Sequence, residues 1–156
     1  MYDFTIITVC YNSEQTIEET IKSVFNQKEK IQYLIIDGLS YDNTLNLAHK
    51  YKNLSPEKIN MEVYSEKDTG IYNAMNKGIL KAKGKFIGII NSDDQLIDNA
   101  LSIVLKTFDN EDVDAVHGNV LWKYDINGKH YFQERKGLAD LSYLYDGMTI
   151  NHPTLF

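Results

Sequence analysis

The chain has 156 residues and a net charge of −6, with 43% hydrophobic and 24% charged residues. This composition is typical of one globular domain. No cluster of Lys or Arg stands out. The composition therefore excludes a protein with the broad basic surface that nucleic-acid binding needs. Cys10 is the only cysteine, which excludes an internal disulfide, and its place in the apolar run FTIITVC predicts a small buried hydrophobe.

The sequence shows no sign of export or of membrane insertion. Its start, MYDFTIITV, has neither the basic region nor the small-residue cleavage site of a secretory signal. No apolar stretch approaches the ~20 residues that cross a bilayer. We therefore expect a cytoplasmic protein, and peripheral attachment to the inner face of the membrane would need a partner or a further segment.

Short apolar runs alternate with helical patterns over the first two-thirds of the chain. The runs predict strands at 4–10, 33–37, 61–65 and 85–90. A helix is predicted after each strand. The first is capped by Ser13 and turns Ile17, Ile21, Val24 and Phe25 inward, and the second starts at Asp42 or Asn43. The third covers residues 71–82 with Ile71, Met75, Ile79 and Ala82 inward, and the fourth covers residues 98–108.

Four such β-then-α units predict an α/β fold with a mostly parallel central sheet and flanking helices. The near-continuous apolar strands agree, because parallel strands are covered on both faces. After residue 110 the pattern changes, and 114–124, the turn 125–129 and 130–135 predict a late antiparallel hairpin. Residues 136–156 are mixed and receive no assignment.

Polar side chains follow every predicted strand, and ligands of open parallel sheets bind outside the carboxyl ends of the strands. We therefore expect one crevice that collects all four groups. They are Thr8, Val9, Cys10, Tyr11 and Asn12 after the first strand; Asp37, Gly38 and Ser40 after the second; Glu66, Lys67, Asp68 and Gly70 after the third; and Asn91, Ser92, Asp93 and Asp94 after the fourth.

The adjacent acids Asp93 and Asp94 repel each other unless something binds them. A divalent cation such as Mg²⁺ or Mn²⁺ would do so, since Mg²⁺ takes one or two protein carboxylates and completes its shell with water and substrate phosphates. The sequence lacks a P-loop and a GxGxxG motif, so a metal would have to hold the phosphates. In the alternative interpretation Asp93 caps the next helix and Asp94 faces water.

Other polar positions also have two interpretations. Asp37 lies at a strand end, where it could accept from a ligand N–H or O–H, but DGLSYDNT is also a good turn sequence. Asn76, on the polar side of a predicted helix, is a poor helix former that suggests polar recognition. No histidines show metal-ligand spacing, and His152 in NHPTLF is either structural or part of a pocket.

Five blocks of the sequence match a known family in order: TIITVCYNSEQTIEETIKSVFNQ, YLIIDGLSYDNT, SEKDTGIYNAMNKGI, GKFIGIINSDD and NHPTLF. They resemble the nucleotide-sugar half of family 2 glycosyltransferases of the GT-A fold, especially bacterial enzymes that build surface polysaccharides. The resemblance covers almost the whole chain. It implies that residues 1–156 form one nucleotide-sugar-binding GT-A domain, which we expect to be incomplete at its C-terminus.

The resemblance implies metal-dependent, inverting transfer of a sugar from a nucleoside diphosphate donor, UDP by family habit, to a saccharide or lipid-linked saccharide. It places Thr8, Tyr11 and Asn12 against the nucleoside, Asp37 on the base, and Asp68 and Asn76 near ribose and phosphates. The DXD-type motif of the family corresponds to NSDD, in which Asn91 replaces the commoner Asp. The resemblance therefore makes Asp93 and Asp94 candidate metal ligands, and it also implies that Asp93 contacts the nucleotide. His152 corresponds to a pocket histidine that binds substrate.

The general base of such enzymes follows the segment that NHPTLF matches, so we expect it beyond Phe156. Two other functions stay open. A sugar nucleotidyltransferase would normally have a glycine-rich, basic loop after the first strand, which TVCYNSEQT is not. A non-catalytic module that binds a nucleotide-sugar or a partner protein fits an early chain end. The donor sugar, the linkage and the assembly, a homodimer included, are not specified.

Overall fold

Four βα units build most of the protein, a computed structural model that describes residues 1–137 and 152–156. The elements are β1 (Tyr2–Cys10), α1 (Ile17–Phe25), β2 (Ile31–Asp37), α2 (Thr44–Asn53), β3 (Ile59–Ser65), α3 (Ile71–Lys81), β4 (Gly84–Asn91), α4 (Ala100–Asn110), β5 (Val120–Ile126), β6 (Lys129–Arg135) and a 3₁₀ helix, His152–Thr154. The predicted α/β fold is confirmed, and the strands run one or two residues longer than their apolar cores.

The central sheet is parallel throughout, in the order β3-β2-β1-β4. Its carboxyl edge is level, because Cys10 is paired with Asp37, Asp37 with Ser65, and Val9 with Asn91. The loops that follow all four strands therefore leave the sheet side by side, as the sequence predicts. Within the described ranges, no helix has the length and apolar character to cross a membrane.

The sheet is covered unequally on its two faces. One face packs under α1, α2 and α4, and its fully buried side chains include Phe4, Ile6 and Tyr33. The other face, with Ile7 and Leu34, is covered by α3. Both strands at the centre of the sheet are therefore buried on both faces, which is why their sequences show no alternation.

The inward face of α3 agrees with the prediction at Met75, which is buried, but not at the two isoleucines. Ile71 and Ile79 are 50% and 42% exposed, whereas Ala74, Met75 and Gly78 are buried. The reason is Gly78: a Cβ there would lie 2.5 Å from Ile7 Cγ2. The missing side chain lets α3 approach the sheet closely, and this rotates the larger isoleucines away from it.

The start of α1 also differs from the prediction. Ser13 does not cap the helix, which begins at Ile17 with Thr16 before it and no side-chain cap. The Ser13 carbonyl instead accepts from the backbone N–H groups of Thr16 and Ile17. Ser13 thus stays in the loop after β1. The helix start predicted at Asp42 or Asn43 is confirmed, since Asp42 Oδ1 accepts from the Thr44 N–H at 2.9 Å.

The late hairpin is confirmed as antiparallel, although its first strand begins at Val120 rather than 114. Its turn uses Asn127 and Gly128, both with positive φ (53° and 74°), which suits a two-residue hairpin. The 3₁₀ helix lies within the region that received no assignment. Phe156 exchanges two backbone hydrogen bonds with Val116 (2.8 and 3.0 Å) and packs against Phe4.

Candidate nucleotide-sugar site

A cleft of about 900 Å³ opens at the carboxyl edge of the sheet. The loop after β1 forms its floor and one wall, while the loops after β3 and β4 contribute the other sides. Its lining residues are Val9, Cys10, Tyr11, Asn12, Ser13, Glu14, Gln15, Thr16, Asp42, Asp68, Gly70, Ile71, Ala74, Asn91, Ser92 and Asp93. Three of the four predicted groups of polar strand-end residues therefore line one crevice, while Asp37 and Ser40 of the second group lie behind it.

The loops after β1 and β2 are joined by reciprocal hydrogen bonds. The Asn12 N–H donates to Ser40 Oγ at 2.8 Å, and the Tyr41 N–H donates back to Asn12 Oδ1 at 3.1 Å. Further along, the Glu14 N–H donates to Asp42 Oδ2 at 3.1 Å. Side chains of each loop thus satisfy backbone groups of the other, and this fixes one wall of the cleft.

Asp42 is held in its ionised form by this junction. Burial raises the pKa of its carboxyl, but the hydrogen bonds from Thr44 and from the backbone of Glu14 together bring the pKa below its ordinary value. Both oxygens of Asp42 are engaged, one by the Thr44 N–H and one by the Glu14 N–H. Although it lines the cleft, Asp42 is therefore a structural group of the wall.

Two exposed tyrosines stand on this wall. Tyr11 is 60% and Tyr41 84% exposed, and their ring centroids lie 6.2 Å apart with an interplanar angle of 81°. An edge-to-face pair that is left open to solvent offers ring faces to a planar ligand. We call the pair Tyr11 and Tyr41 the tyrosine platform; Tyr11 lines the cleft, whereas Tyr41 stands outside its lining.

Asp37 lies beneath this wall and is fully buried. Ser40 and Ser65 donate their hydroxyls to its two oxygens at 2.5 and 2.6 Å, and Cys10 Sγ lies 3.8 Å from Oδ1. Burial, and then the nearby Asp37 charge, raise the pKa of the Cys10 thiol far above its ordinary value. Cys10 is thus a neutral thiol within the packed structure, as the sequence predicts.

Asp68 reaches across from the loop after β3 to the loop after β2. Its Oδ1 accepts from the Gly70 N–H at 2.9 Å. Its Oδ2 occupies the space beside Gly38, where a Cβ would lie 2.7 Å from that oxygen and 3.5 Å from Tyr11 Cδ2. The absence of a side chain at Gly38 therefore brings the Asp68 carboxylate next to the tyrosine platform.

The turn after β4 treats its two acids differently. Asp94 Oδ2 accepts from Asn91 Nδ2 at 2.9 Å, and the Asp94 carbonyl accepts from Thr20 Oγ1 at 2.8 Å. Asp93 is exposed and lines the cleft, whereas Asp94 is half-buried and does not. Ser92 Oγ shares a 2.8 Å hydrogen bond with Ser13 Oγ, which ties this turn to the loop after β1.

The cleft is acidic. Its lining includes Glu14, Asp42, Asp68 and Asp93, and none of the described lining residues is Lys, Arg or His. A phosphate-bearing ligand would therefore need a cation with it. Within residues 1–137 and 152–156 no cluster of three or more His, Cys, Asp or Glu side chains could hold a metal alone.

The residues at the β4 end nevertheless fit a divalent ion that is shared with a ligand. Asp93 offers a carboxylate to the cleft, and the neighbouring Asn91 Oδ1 is buried without a hydrogen-bond partner among the described residues. Because the Asn91 amide nitrogen donates to Asp94, the amide oxygen is available to accept a ligand. One carboxylate and one amide oxygen form a donor set that suits Mg²⁺ or Mn²⁺ completed by water and phosphate.

Four of the residues predicted from the sequence therefore meet in one cleft: Tyr11, Asn12, Asp68 and Asp93. Four others lie outside its lining: Asp94, which binds the Asn91 amide, and the three that follow. Thr8 is fully buried and bonds Tyr33 Oη at 3.1 Å, Asp37 lies beneath the wall, and Asn76 is exposed on α3. The backbone of His152 begins the 3₁₀ helix, and its side chain lies outside the described residues.

Sequence reasoning missed Tyr41 and the Ser13–Ser92 contact. Tyr41 belongs to DGLSYDNT, which was interpreted only as a turn. A large aromatic residue in an otherwise small and polar turn was the available signal, because turns favour Gly, Asn, Asp and Ser. The hydroxyl pair has no signal in the sequence, since its members are 79 positions apart.

The fold is that of the GT-A class of nucleotide-sugar transferases. The crystal structure of Staphylococcus aureus TarS 1-349 in complex with UDP-GlcNAc matches with a TM-score of 0.69 and 25% identity, over 81% of this chain and 36% of that one. A mannosyltransferase from Pyrobaculum calidifontis, PcManGT, solved with GDP-Man and Mn²⁺, shares the fold at a TM-score of 0.68 and 22% identity, over 75% of this chain and 35% of that one.

The sequence gives the family. Residues 5–154 match glycosyl transferase family 2, and the chain belongs to that family. It is 33% identical to the minor teichoic acid biosynthesis protein GgaA of Bacillus subtilis over 95% of this chain. The chain spans about a third of the length of that relative, 35%.

Proposed function

We propose that this domain binds a nucleoside-diphosphate sugar, with UDP as the nucleotide, together with Mg²⁺ or Mn²⁺, for inverting transfer of the sugar to an acceptor hydroxyl. The acceptor would be a saccharide or a lipid-linked saccharide of a cell-surface polymer. Membership of family 2 and likeness to a teichoic acid biosynthesis protein support this role. The expected cytoplasmic location at the membrane face remains a prediction.

One observation carries the proposal: Tyr11 of the tyrosine pair and the exposed Asp93 carboxylate line one cleft, whose described lining has four acids and no Lys, Arg or His. The platform suits the planar, uncharged part of a nucleotide. The acidic lining repels a diphosphate unless a divalent cation accompanies it. A nucleoside diphosphate with its metal ion supplies both the planar group and the positive charge in one ligand.

On the nucleoside side we assign recognition to Tyr11 and Tyr41, with Asn12 holding the wall. Stacking of a base on an aromatic ring is worth about 1–3 kcal/mol. Asp68, beside Tyr11 at Gly38, would accept hydrogen bonds from a base N–H or a ribose hydroxyl. Thr8, packed beneath, supports the floor.

On the phosphate side we assign the cation to Asp93, with the Asn91 amide oxygen beside it. Asp94 acts through Asn91, whose amide it orients. A bound divalent ion supplies positive charge that stabilises the departing nucleoside diphosphate. The chain's own part is to hold that charge at the end of β4, opposite the nucleoside wall.

In the reaction the acceptor oxygen bonds to the anomeric carbon from the face opposite the leaving group, while the bond from that carbon to the diphosphate oxygen breaks. The acceptor proton passes to a general base. The part of the cleft described above would bind and orient the donor. This would lower the barrier by holding the anomeric carbon in line with the attacking acceptor oxygen.

The first test is calorimetric titration of UDP with and without Mn²⁺. We expect Mn²⁺ to tighten binding at least tenfold, and Asp93→Asn to remove most of that gain. Asp109→Asn, a change of an exposed carboxylate on α4, is the matched control and should leave it intact. UDP binding that ignores both the metal and Asp93→Asn would refute the assignment.

A second test separates a transferase from a binding module. UDP-GlcNAc is the first probe, because TarS was crystallised with it. Release of UDP from UDP-GlcNAc in the presence of Mn²⁺, lost in Asp93→Asn, would support transfer chemistry with water as acceptor. Metal-dependent UDP binding without any release of UDP would favour the binding module.

A further inference from the structure

The Asp37 carboxylate is surrounded by donors of the protein itself. Oδ1 accepts the Ser40 hydroxyl at 2.5 Å, Oδ2 accepts the Ser65 hydroxyl at 2.6 Å, and the Ser40 N–H lies 3.2–3.3 Å from both. A fully buried carboxylate needs such donors. These contacts occupy both oxygens, and Asp37 does not line the cleft, so its direct partners are Ser40 and Ser65, of which Ser40 leads to the cleft wall.

Ser40 connects the Asp37 carboxylate to the wall of the cleft. Because its hydroxyl donates to Asp37, its lone pairs face the Asn12 N–H, which donates to it at 2.8 Å. Asn12 Oδ1 then accepts from the Tyr41 N–H at 3.1 Å. A continuous hydrogen-bonded path thus runs from Asp37 to the backbone of Asn12, the residue after Tyr11, and to the backbone of Tyr41.

The same path borders two residues in the left-handed conformation, since Asn12 has φ = 51° and Leu39 φ = 63°. Asn adopts this conformation readily, whereas for Leu it costs about 1–3 kcal/mol unless the surroundings impose it. Leu39 lies between Asp37 and Ser40. The strained residue is therefore adjacent to the groups that the path fixes.

We propose that Asp37 is a positioning residue, whose carboxylate sets the Tyr11–Tyr41 platform through Ser40 and Asn12 without contacting the nucleotide. This inference rests on the proposed function, because it takes the platform to hold a nucleobase. It replaces the direct base contact that the family resemblance implies for Asp37. The exposed rings have little packing of their own, so the backbone beneath them decides where they stand.

The first experiment measures the path without any nucleotide. Amide hydrogen exchange by NMR should quicken at Asn12 and Tyr41 in Ser40→Ala, and Ser40→Thr, which keeps a hydroxyl, should restore slow exchange. Exchange at Ile6, in the middle of β1, serves as the internal control and should not change. Unchanged exchange at Asn12 and Tyr41 in Ser40→Ala would overturn the proposal.

The second experiment compares UDP and CDP, both with Mn²⁺, by calorimetry. A positioning role predicts that Asp37→Asn and Ser40→Ala weaken both nucleotides by a similar factor, about tenfold, and leave their ratio unchanged. In a Tyr11→Ala/Tyr41→Ala background Asp37→Asn should then have no further effect, because residues that act as one unit are not additive. Ser40→Thr should rescue affinity.

The outcomes separate the two proposals. If Asp37→Asn alters the UDP-to-CDP ratio, or remains fully additive with the tyrosine changes, Asp37 contacts the base and the positioning role is wrong. If Asp37→Asn does not fold, Ser40→Ala and Ser40→Thr decide the same question. If the unchanged chain binds neither nucleotide, the proposed function fails, while the exchange data still report whether Asp37 and Ser40 fix the wall.

Discussion

Gly38→Ala tests the placement of Asp68 with a single methyl group. The new Cβ would lie 2.7 Å from Asp68 Oδ2, and since ordinary contacts begin at 3.4 Å, the carboxylate must retreat by about 0.7 Å. A charged hydrogen bond of ordinary length does not survive such a shift intact. Tyr11 Cδ2, at 3.5 Å, is already at contact distance and need not move.

The expected loss is one hydrogen bond from a charged group to the nucleotide, about 1.5–3 kcal/mol, or roughly a 10- to 150-fold increase in the Kd of UDP. The fold should tolerate the change, because Gly38 is not in the left-handed region and Gly→Ala at such a site stabilises by about 0.4–1 kcal/mol. Calorimetry with UDP and Mn²⁺, paired with thermal unfolding, measures both.

Gly118→Ala is the matched control, since among the described residues its Cβ would meet just Thr154, at 3.8 Å. Gly38→Ala should also add nothing to Asp68→Ala, because the carboxylate it displaces is then absent. Unchanged UDP affinity in a folded Gly38→Ala protein would refute the role of Asp68. A large fall in the melting temperature would instead show that the loop cannot yield as the geometry indicates.

Three further predictions concern stability and reactivity. Gly78→Ala places a methyl group 2.5 Å from Ile7 Cγ2 and should lower the free energy of unfolding by about 1–3 kcal/mol. This corresponds to a fall in Tm of roughly 2–12 °C, and an unchanged Tm in calorimetry would contradict the close packing of α3. Cys10, whose thiol pKa burial raises, should react with a thiol reagent at pH 8 only after urea is added, and fast labelling of the folded protein would show that the site is open. Asp42→Asn should destabilise at pH 7, and its effect should shrink as the pH falls below the unfolded pKa of about 3.9. The reason is that a carboxyl with a lowered pKa stabilises fully above its unfolded pKa and loses this contribution as pH falls through its folded pKa. Urea unfolding of both proteins over a series of pH values checks this, and a difference between them that does not change with pH would refute it.

The sequence predicted the sheet because its information is local and repeated. Each strand is a continuous apolar run, and each run ends in polar residues, so the common edge followed from parallel pairing alone. The face of α3 could not be predicted in the same way. Periodicity favours the largest apolar side chains, whereas the helix approaches the sheet through Gly78 and Ala74, where closeness depends on small size.

Within the site, the sequence located strand ends but not the directions of their side chains. Thr8 and Asp37 lie in strands buried on both faces, so no alternation indicates which side chain turns towards the cleft. Asp93 and Asp94 are equivalent in the sequence, whereas in the structure the Asn91 amide binds Asp94 and Asp93 lines the cleft. The bonds between Asn12 and Ser40 join residues 28 apart, which no local pattern encodes.

The strand order has a consequence for synthesis of the protein. β1 is made first, yet one of its two neighbours is β4, and Val9 pairs with Asn91. Until β4 leaves the ribosome, an apolar strand presents a whole row of unpaired N–H and C=O groups, the kind of edge that recruits other chains. A nascent chain halted between β3 and β4 should therefore be retained by chaperones or aggregate, and release should coincide with the appearance of Asn91.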